Sequence, residues 1–493
     1  MSSSLSALAA AAEPGVGARV ALVGDGETLR FEALAARVRR VAAALAGAGV
    51  GLGSRVVLVA HARVETVVAL LALAELGATA VPVHPRLTTP EADALARDAA
   101  ADLRLRDLDT EALEELASSA CACLGGARLD DGLPRAHEPA APFAMVQTSG
   151  STGHPKLAVL SRGAIAAAAS VSTARLGFRE DDRWLLAMPL AHVGGLSIVT
   201  RCLAARRTIV LEPRFDPAAV LAAIARERVT LLSVVPTMLA ALLDADRAGV
   251  LASLRVVLVG GAHTPRALGE ECARRRVRAL ASYGLTELAS QVTTQPPRDP
   301  RVALAGSGLP LPGVVVRVAR ADGAEAASGE VGRILAGGPT RMSGYFRGRG
   351  APLDAPFDGA GLFDTGDLGA FDDDGHLHVD GRRADLVVTG GENVSPAEVE
   401  RALEACPGVG RALVFGVPDE RWGEIVACAL VPADPSSFDP SRVARELAAG
   451  LAPHKRPRRA CVVDALPLSA AGKPDRRGAA ERLAAVLRPW PQP

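Results

Sequence analysis

A chain of 493 residues, 49% of them hydrophobic, has enough material for two or three domains with substantial cores. Its 55 basic and 55 acidic residues cancel and are interspersed, which excludes the broad cationic face that holds nucleic acid or an anionic membrane. The Ser/Ala-rich start, 1–14, has no basic residue before its short apolar run, and no stretch approaches the roughly 18 uninterrupted apolar residues of a membrane helix. A cytoplasmic protein without membrane insertion or a nucleic-acid partner is expected.

Apolar residues at three- and four-residue spacing predict a helix over 31–48 with Arg37, Arg39 and Arg40 outward, followed by a strand over 55–60. A helix over 65–76 leads into a strand at 78–83. Aliphatic runs at 143–146, 208–211, 231–235 and 255–259 continue the rhythm, and 164–171 is an alanine-rich helix. Strands alternating with helices imply parallel sheets covered by helices.

From about Gly306 the texture shifts to short strands among Gly, Pro and Asp turns, such as 314–318 and 372–379, and predicts a β-rich subdomain over 306–383. A helix beginning near Pro396, a strand over 411–417 and a C-terminal helix predict a small separate α+β domain over 384–493. The expected fold is therefore α/β: a large N-terminal domain, 1–383, of helix-covered, mostly parallel sheets with a β-barrel-like subdomain, and a small α+β C-terminal domain.

Seven cysteines without a C-x-x-C pair predict reduced thiols, mostly packed in the core; Cys121 and Cys123 are too sparse a set for structural zinc. Lysine is scarcer still. Only Lys156, Lys455 and Lys473 occur among the 55 basic residues. Lys156 closes Thr148-Ser-Gly-Ser-Thr-Gly-His-Pro-Lys156, a strand-to-loop element in which freed N–H groups, hydroxyls and a terminal cation suit phosphate oxygens. The spacing is not that of the G-x-x-x-x-G-K-[ST] loop, and Leu157 stands where a magnesium-binding hydroxyl would be. Lys473 lies in Leu468-Ser-Ala-Ala-Gly-Lys473, a second site where a compact ammonium suits phosphate chemistry. Lys455 equally fits a chance survivor.

Further segments follow in order: Met188-Pro-Leu-Ala-His192, Tyr283-Gly-Leu-Thr-Glu287, Asp364-Thr-Gly-Asp367, Gly381-Arg-Arg-Ala-Asp385, Gly390-Gly-Glu-Asn-Val394 and Gly472-Lys473. Across nearly the whole chain these resemble the core motifs of the acyl-adenylate-forming, AMP-binding superfamily of acyl-CoA synthetases, peptide-synthetase adenylation domains and luciferases. The resemblance implies ATP and Mg²⁺ as cofactors and coenzyme A as co-substrate, with a carboxylic acid activated as its adenylate and AMP and pyrophosphate released. Thr148, Ser149, Gly150, Ser151, Thr152, Gly153 and Lys156 would hold the β- and γ-phosphates, Thr286 the α-phosphate, and Glu287 the metal. Gly260, Gly261, Ala262 and Tyr283 would receive adenine, Asp367 and Arg382 the ribose, and Lys473 would bridge the attacking carboxylate and the α-phosphate.

The resemblance also implies that the C-terminal domain is mobile, rotating at Ala384 to withdraw Lys473 and present Gly391 to the pantetheine arm. Relatives often carry Asp or Lys at that hinge and glycine at Leu157. Segments 189–201, 229–238, 282–291 and 381–400 are most similar to the o-succinylbenzoate–CoA ligases of menaquinone biosynthesis. That implies an acid pocket with His192 as a catalytic and substrate residue, Arg201 on a second carboxylate, and Ser290 and Gln291 adding hydrogen bonds. Arg201 equally fits a solvated helix position, and Tyr283 and His192 equally fit structural roles. Another aryl- or acyl-CoA synthetase, or a stand-alone adenylation enzyme loading a carrier protein, fits the same motifs. A homodimer is an expectation of the family alone.

Overall fold

The computed structural model describes residues 5–105, 138–148, 156–262, 264–299, 304, 306–382, 385–389, 392–419, 422–451, 453–469 and 474–491. They divide into two compact units. The first comprises 1–260, 269–316 and 336–363; the second comprises 261–268, 317–335 and 364–493.

The first unit contains two sheets. A nine-stranded sheet runs Leu309–Pro310, Ser290–Thr294, Ala279–Leu285, Val256–Gly260, Leu231–Val234, Arg183–Leu186, Thr208–Leu211, Val20–Gly24 and Glu27–Arg30. Its interior strands pair in parallel, with antiparallel strands at both margins. A six-stranded sheet runs Gly344–Tyr345, Lys156–Ser161, Pro142–Thr148, Thr79–Val83, Arg55–Val59 and Leu103–Leu105. The continuous aliphatic runs are explained by burial on both faces: every residue of Thr79–Val83, Thr208–Leu211 and Leu231–Val234 is buried.

The helix Val64–Leu76 is buried at every position and touches strands of both sheets, Val20–Gly24 on one side and Arg55–Val59 and Thr79–Val83 on the other. A helix sandwiched in this way has no polar face. Its Glu75 is accommodated by the hydroxyl of Ser6, which donates to the carboxylate at 2.8 Å, and by the Leu8 N–H at 3.3 Å. By contrast the helix Phe31–Gly47 leaves Arg39 and Arg40 exposed and buries Leu34, Val38, Val41 and Leu45 on the opposite stripe.

A four-stranded sheet, Val315–Ala319, Gly332–Gly337, Phe363–Phe371 and Leu377–Arg382, most of it in the second unit, precedes a sheet built on the hairpin Val409–Asp419/Gly423–Pro432. The segment 372–379, read from sequence among short strands and Asp turns, begins with the turn. The Asp372 carboxylate accepts the N–H groups of Asp374 and His376, and the strand starts only at Leu377. Along Val409–Asp419 the side chains alternate between two cores. Ala412 and Val414 pack with Val399, Leu403, Val443 and Leu447 of helices Pro396–Glu404 and Pro440–Gly450, while Leu413 and Phe415 pack with Cys461, Ala479 and Leu487.

Two carboxylates join the helix Pro396–Glu404 to this hairpin. Glu400, buried, accepts the Val414 N–H at 2.8 Å and pairs with Arg476 at 2.7 Å, so it also holds the start of the helix Arg476–Leu483. Glu404 accepts the Ala412 N–H at 3.1 Å, and burial, reinforced by nearby Glu400, pushes its carboxyl up to about 7. A raised carboxyl contributes stability that is complete below its ordinary value of 4.5 and is lost as pH rises through about 7. Hydrogen-exchange protection of the strand Val409–Asp419 should therefore fall between pH 5 and pH 8 by roughly 2–3 kcal/mol. Glu404→Gln, which keeps an acceptor for the Ala412 N–H, should flatten that slope and raise protection at pH 8; an unchanged slope would remove Glu404 as its source.

Among the described residues, Cys202, Cys272, Cys406, Cys428 and Cys461 are free and buried, as core packing requires, while Cys121 and Cys123 lie outside them. Lys455 has a structural partner: its Nζ donates to both carboxylate oxygens of Glu398 at 2.6 and 2.8 Å. No described helix is long and apolar enough to cross a membrane.

Candidate active site

Thr148 and Lys156 are cross-strand partners at the mouth of the antiparallel hairpin Pro142–Thr148/Lys156–Ser161. Seven residues, 149–155, connect them and lie outside the described residues, with Ser149, Gly150, Ser151, Thr152 and Gly153 among them. The strands themselves are anchored by Met145, Leu157 and Val159 in one core and by Val146, Ala158 and Leu160 in another. Leu157 is thus a packing residue, buried beside the loop it follows. At the loop's base the Thr148 hydroxyl is buried without a hydrogen-bond partner among the described residues, the condition of a group awaiting a polar ligand or the loop's own backbone.

The Lys156 ammonium lies 4.7 Å from the centroid of the Tyr345 ring. The Tyr345 hydroxyl in turn donates to Glu287 Oε1 at 2.8 Å. Glu287 sits in a short 3-10 turn, Thr286–Leu288, whose carbonyl at Glu287 accepts the Met342 N–H at 2.7 Å. Half-buried, anchored through one oxygen and paired with no cation among the described residues, its carboxylate fits a hard divalent ion. No group of three or more metal-ligating side chains occurs among the described residues.

The strand ending in Tyr283-Gly-Leu is bent to deliver this turn. A register shift falls between Tyr283 and Gly284, and a Cβ on Gly284 would lie 1.7 Å from the Ser290 carbonyl. Only glycine tolerates the returning strand so close. Tyr283 is half-buried against Leu288, Val292, Leu311, Val314 and Ala336. Gly260 pairs in register with Ser282, one residue before that ring, and Gly261 and Ala262 follow it in the chain.

On the acid side, His192 is the residue preceding the helix Val193–Ala205. Its N–H donates to the Pro189 carbonyl at 3.1 Å, and a Cβ on Gly195 would meet that same carbonyl at 2.4 Å. The imidazole of His192 meets that of His84 with ring centroids 5.3 Å apart. Burial, with Arg86 and His61 adding repulsion, pulls His84 below the ordinary histidine value. His84 follows the parallel strand Thr79–Val83 at its C-terminal end, where ligands of open α/β sheets collect.

Arg201 is not a solvated helix residue. It is 1% exposed, its guanidinium carbon lies 5.6 Å from the Trp184 ring centroid, and Nε and Nη2 are buried without a hydrogen-bond partner among the described residues. Burial pulls the guanidinium down to about 9. Gln291 is committed to the interior: its Oε1 accepts from Ser172 Oγ and its Nε2 donates to Thr294 Oγ1, both at 2.7 Å. Ser290, half-buried with a positive φ of 103°, sits at the bend beside it.

In the second unit, Asp367 is buried and paired across the strands with Arg382, whose side chain lies outside the description. Asp364 has a turn-ordering role, accepting the Gly366 N–H at 3.0 Å and pairing with Arg333 at 3.1 Å. Ala384, Gly391 and Lys473 lie outside the described residues; Arg476, three positions after Lys473, is fixed by Glu400. Sequence reasoning gives no role to Tyr345, although it lies in a segment resembling the family. Its available signal was rarity, since the chain has two tyrosines and the other stands in the Tyr283 motif.

The AMP-binding enzyme family matches residues 9–346, and the AMP-binding enzyme C-terminal domain matches 398–473. The chain is 35% identical to the 2-succinylbenzoate–CoA ligase of Bacillus licheniformis over 472 residues, covering 92% of this chain and 95% of that one. It is also 35% identical to the indoleacetate–CoA ligase of Aromatoleum aromaticum over 471 residues, covering 90% and 91%. The o-succinylbenzoate CoA synthetase of Bacillus subtilis, solved with its acyl-adenylate intermediate OSB-AMP, superposes with a TM-score of 0.81 at 33% identity over 95% of this chain and 96% of that one. The same enzyme has been solved with ATP and a magnesium ion, at the same TM-score and 32% identity, covering 95% of this chain and 98% of that one. With Lys156, Glu287 and the strand-end turn assembled as described, the chain belongs to the AMP-binding enzyme family, among its AMP-forming acid–CoA ligases.

Proposed function

We propose that this enzyme converts o-succinylbenzoate, ATP and coenzyme A into o-succinylbenzoyl-CoA, AMP and pyrophosphate. The observation that carries the substrate is Arg201. A buried cation with two nitrogens that lack a hydrogen-bond partner among the described residues is costly unless an anion completes it, and a dicarboxylic acid brings one carboxylate to be activated and one to be gripped. The similarity to two succinylbenzoate ligases supports the same reading.

In the first half-reaction the acid's carboxylate attacks the α-phosphorus of ATP and pyrophosphate leaves. Lys156 and the hydroxyl-rich loop hold the departing phosphates, Thr286 donates to the α-phosphate, and Lys473 sits between attacking carboxylate and phosphate. Magnesium, held by Glu287, supplies charge neutralisation on the triphosphate when bound. Tyr283 and the Gly260-Gly-Ala262 segment take adenine, while Asp367 and Arg382 take the ribose. His192 flanks the acid's ring, and beside it burial holds His84 below the ordinary histidine value. The C-terminal domain then turns about Ala384, withdrawing Lys473 so that the thiol of coenzyme A enters past Gly391.

An acid panel with the thioester product read by mass tests the substrate. o-Succinylbenzoate should exceed benzoate, indoleacetate and simple fatty acids in kcat/KM by roughly 100-fold, the scale of leaving one partner of a buried charge pair unpaired. Equal rates with indoleacetate would favour the aryl-acid reading that the Aromatoleum aromaticum relative suggests. Turnover only with a carrier-bound pantetheine would favour a stand-alone adenylation enzyme.

A further inference from the structure

We propose that Tyr345 is a positioning residue for the adenylation step, a single side chain that sets both the phosphate-loop lysine and the metal-binding glutamate. The proposal rests on the reading of Lys156 and Glu287 given above.

The strand Gly344–Tyr345 pairs with Lys156–Ser161, placing Tyr345 opposite Ala158. Residues two apart on a strand share a face, so the ring opposite Ala158 lies diagonally beside Lys156. The Tyr345 backbone is itself fixed by two hydrogen bonds to Asp354, its N–H donating at 2.7 Å and its carbonyl accepting at 2.9 Å. The side chain is 6% exposed, and from this seat its ring faces the Lys156 ammonium while its hydroxyl reaches Glu287. Three segments distant in sequence, those of Lys156, Glu287 and Tyr345, thus meet through one phenol.

Each contact suits a different partner. The aromatic face attracts the ammonium without neutralising it, so Lys156 is steered yet keeps its full charge for phosphate oxygens; a carboxylate in this place would compete with the nucleotide. The hydroxyl donates to Glu287 Oε1 and so restrains the carboxylate. A donor behind a metal-binding carboxylate typically changes metal affinity by about 10- to 100-fold.

Tyr345→Phe keeps the ring and deletes the donor; Tyr345→Leu deletes both. Three measurements separate them: calorimetric binding of ATP with and without Mg²⁺, the Mg²⁺ concentration giving half-maximal adenylation, and thioester formation from synthetic acyl-adenylate. Tyr345→Phe should weaken only the Mg²⁺-dependent part of ATP binding and raise the half-saturating Mg²⁺ by about 10-fold. Tyr345→Leu should also weaken Mg²⁺-free ATP binding by roughly threefold, the loss of the ammonium's seat. Both should form thioester from acyl-adenylate at the parent rate, which also reports that the fold is intact.

A half-saturating Mg²⁺ within twofold of the parent in Tyr345→Phe would overturn the proposal, as would equal losses in both half-reactions. Glu287→Gln run in parallel distinguishes the two levels. If it raises the Mg²⁺ requirement while Tyr345→Phe does not, only the role of Tyr345 fails; if it leaves the requirement unchanged, the assignment of Glu287 fails and the proposal with it.

Discussion

Replacing Lys473 by alanine is expected to reduce acyl-adenylate formation by about 100- to 1,000-fold while leaving thioester formation from synthetic acyl-adenylate near the parent rate. A carboxylate approaching a phosphate must overcome repulsion between two anions, and one well-placed cation in a dry site is worth about that factor. The lysine has no comparable task once the mixed anhydride exists, because the thiol then attacks a carbonyl and AMP leaves. Arginine should not restore the function, its planar fork being wider than a compact ammonium on a flexible stem. The helix Arg476–Leu483, three positions further on, is anchored by the Glu400–Arg476 pair, which the substitution leaves in place. Equal loss in both half-reactions, measured by pyrophosphate release and by thioester yield, would contradict the alternating roles.

The second large effect is expected at Arg201, and it runs in opposite directions for function and stability. Arg201→Met should lower kcat/KM for o-succinylbenzoate by roughly 100-fold, the loss typical when one partner of a desolvated charge pair is removed. Activity toward benzoate-type monoacids should change little, since they present no second carboxylate. At the same time the variant removes a buried cation whose Nε and Nη2 lack partners among the described residues, replacing it with an apolar chain of similar length against Trp184. Its melting temperature should therefore be unchanged or higher, by a stability increment of about 1–3 kcal/mol. A structural arginine would behave otherwise: the variant would melt earlier and lose all acids alike. Thermal unfolding and the acid panel together decide between the two.

Much of the α/β organisation was legible from periodicity, because strands buried on both faces must be aliphatic throughout and surface helices must carry a stripe. Helix Phe31–Gly47 and strands Arg55–Val59 and Thr208–Leu211 fall within a residue of their sequence readings for that reason. Within 372–379 the exact strand start was not legible, because side-chain capture of backbone N–H groups by Asp372 delays the strand to Leu377.

At the site, motif spacing brought forward Lys156, Tyr283, Glu287 and Asp367, each next to a strand end or turn. It could not reveal what lies beneath them. Whether Arg201 faces solvent or a core depends on the packing of Trp184 from a separate strand. The use of Gln291 as an internal brace depends on Ser172, more than a hundred positions earlier. Tyr345, one of two tyrosines in family-like segments, received no role because its meaning arises only when strand pairing sets it opposite Ala158. Periodicity encodes which face is buried; juxtaposition of distant side chains is encoded only in the assembled fold.

The most direct test of acid activation follows the oxygen atoms. With o-succinylbenzoate labelled with oxygen-18 in its carboxylates, attack on the α-phosphorus leaves one acid oxygen on the nucleotide when the thiol displaces it. Mass spectrometry of the products should find one labelled oxygen in each AMP and none in pyrophosphate. Label in orthophosphate with ADP as the nucleotide product, or unlabelled AMP accompanying thioester formation, would contradict an acyl-adenylate on the path.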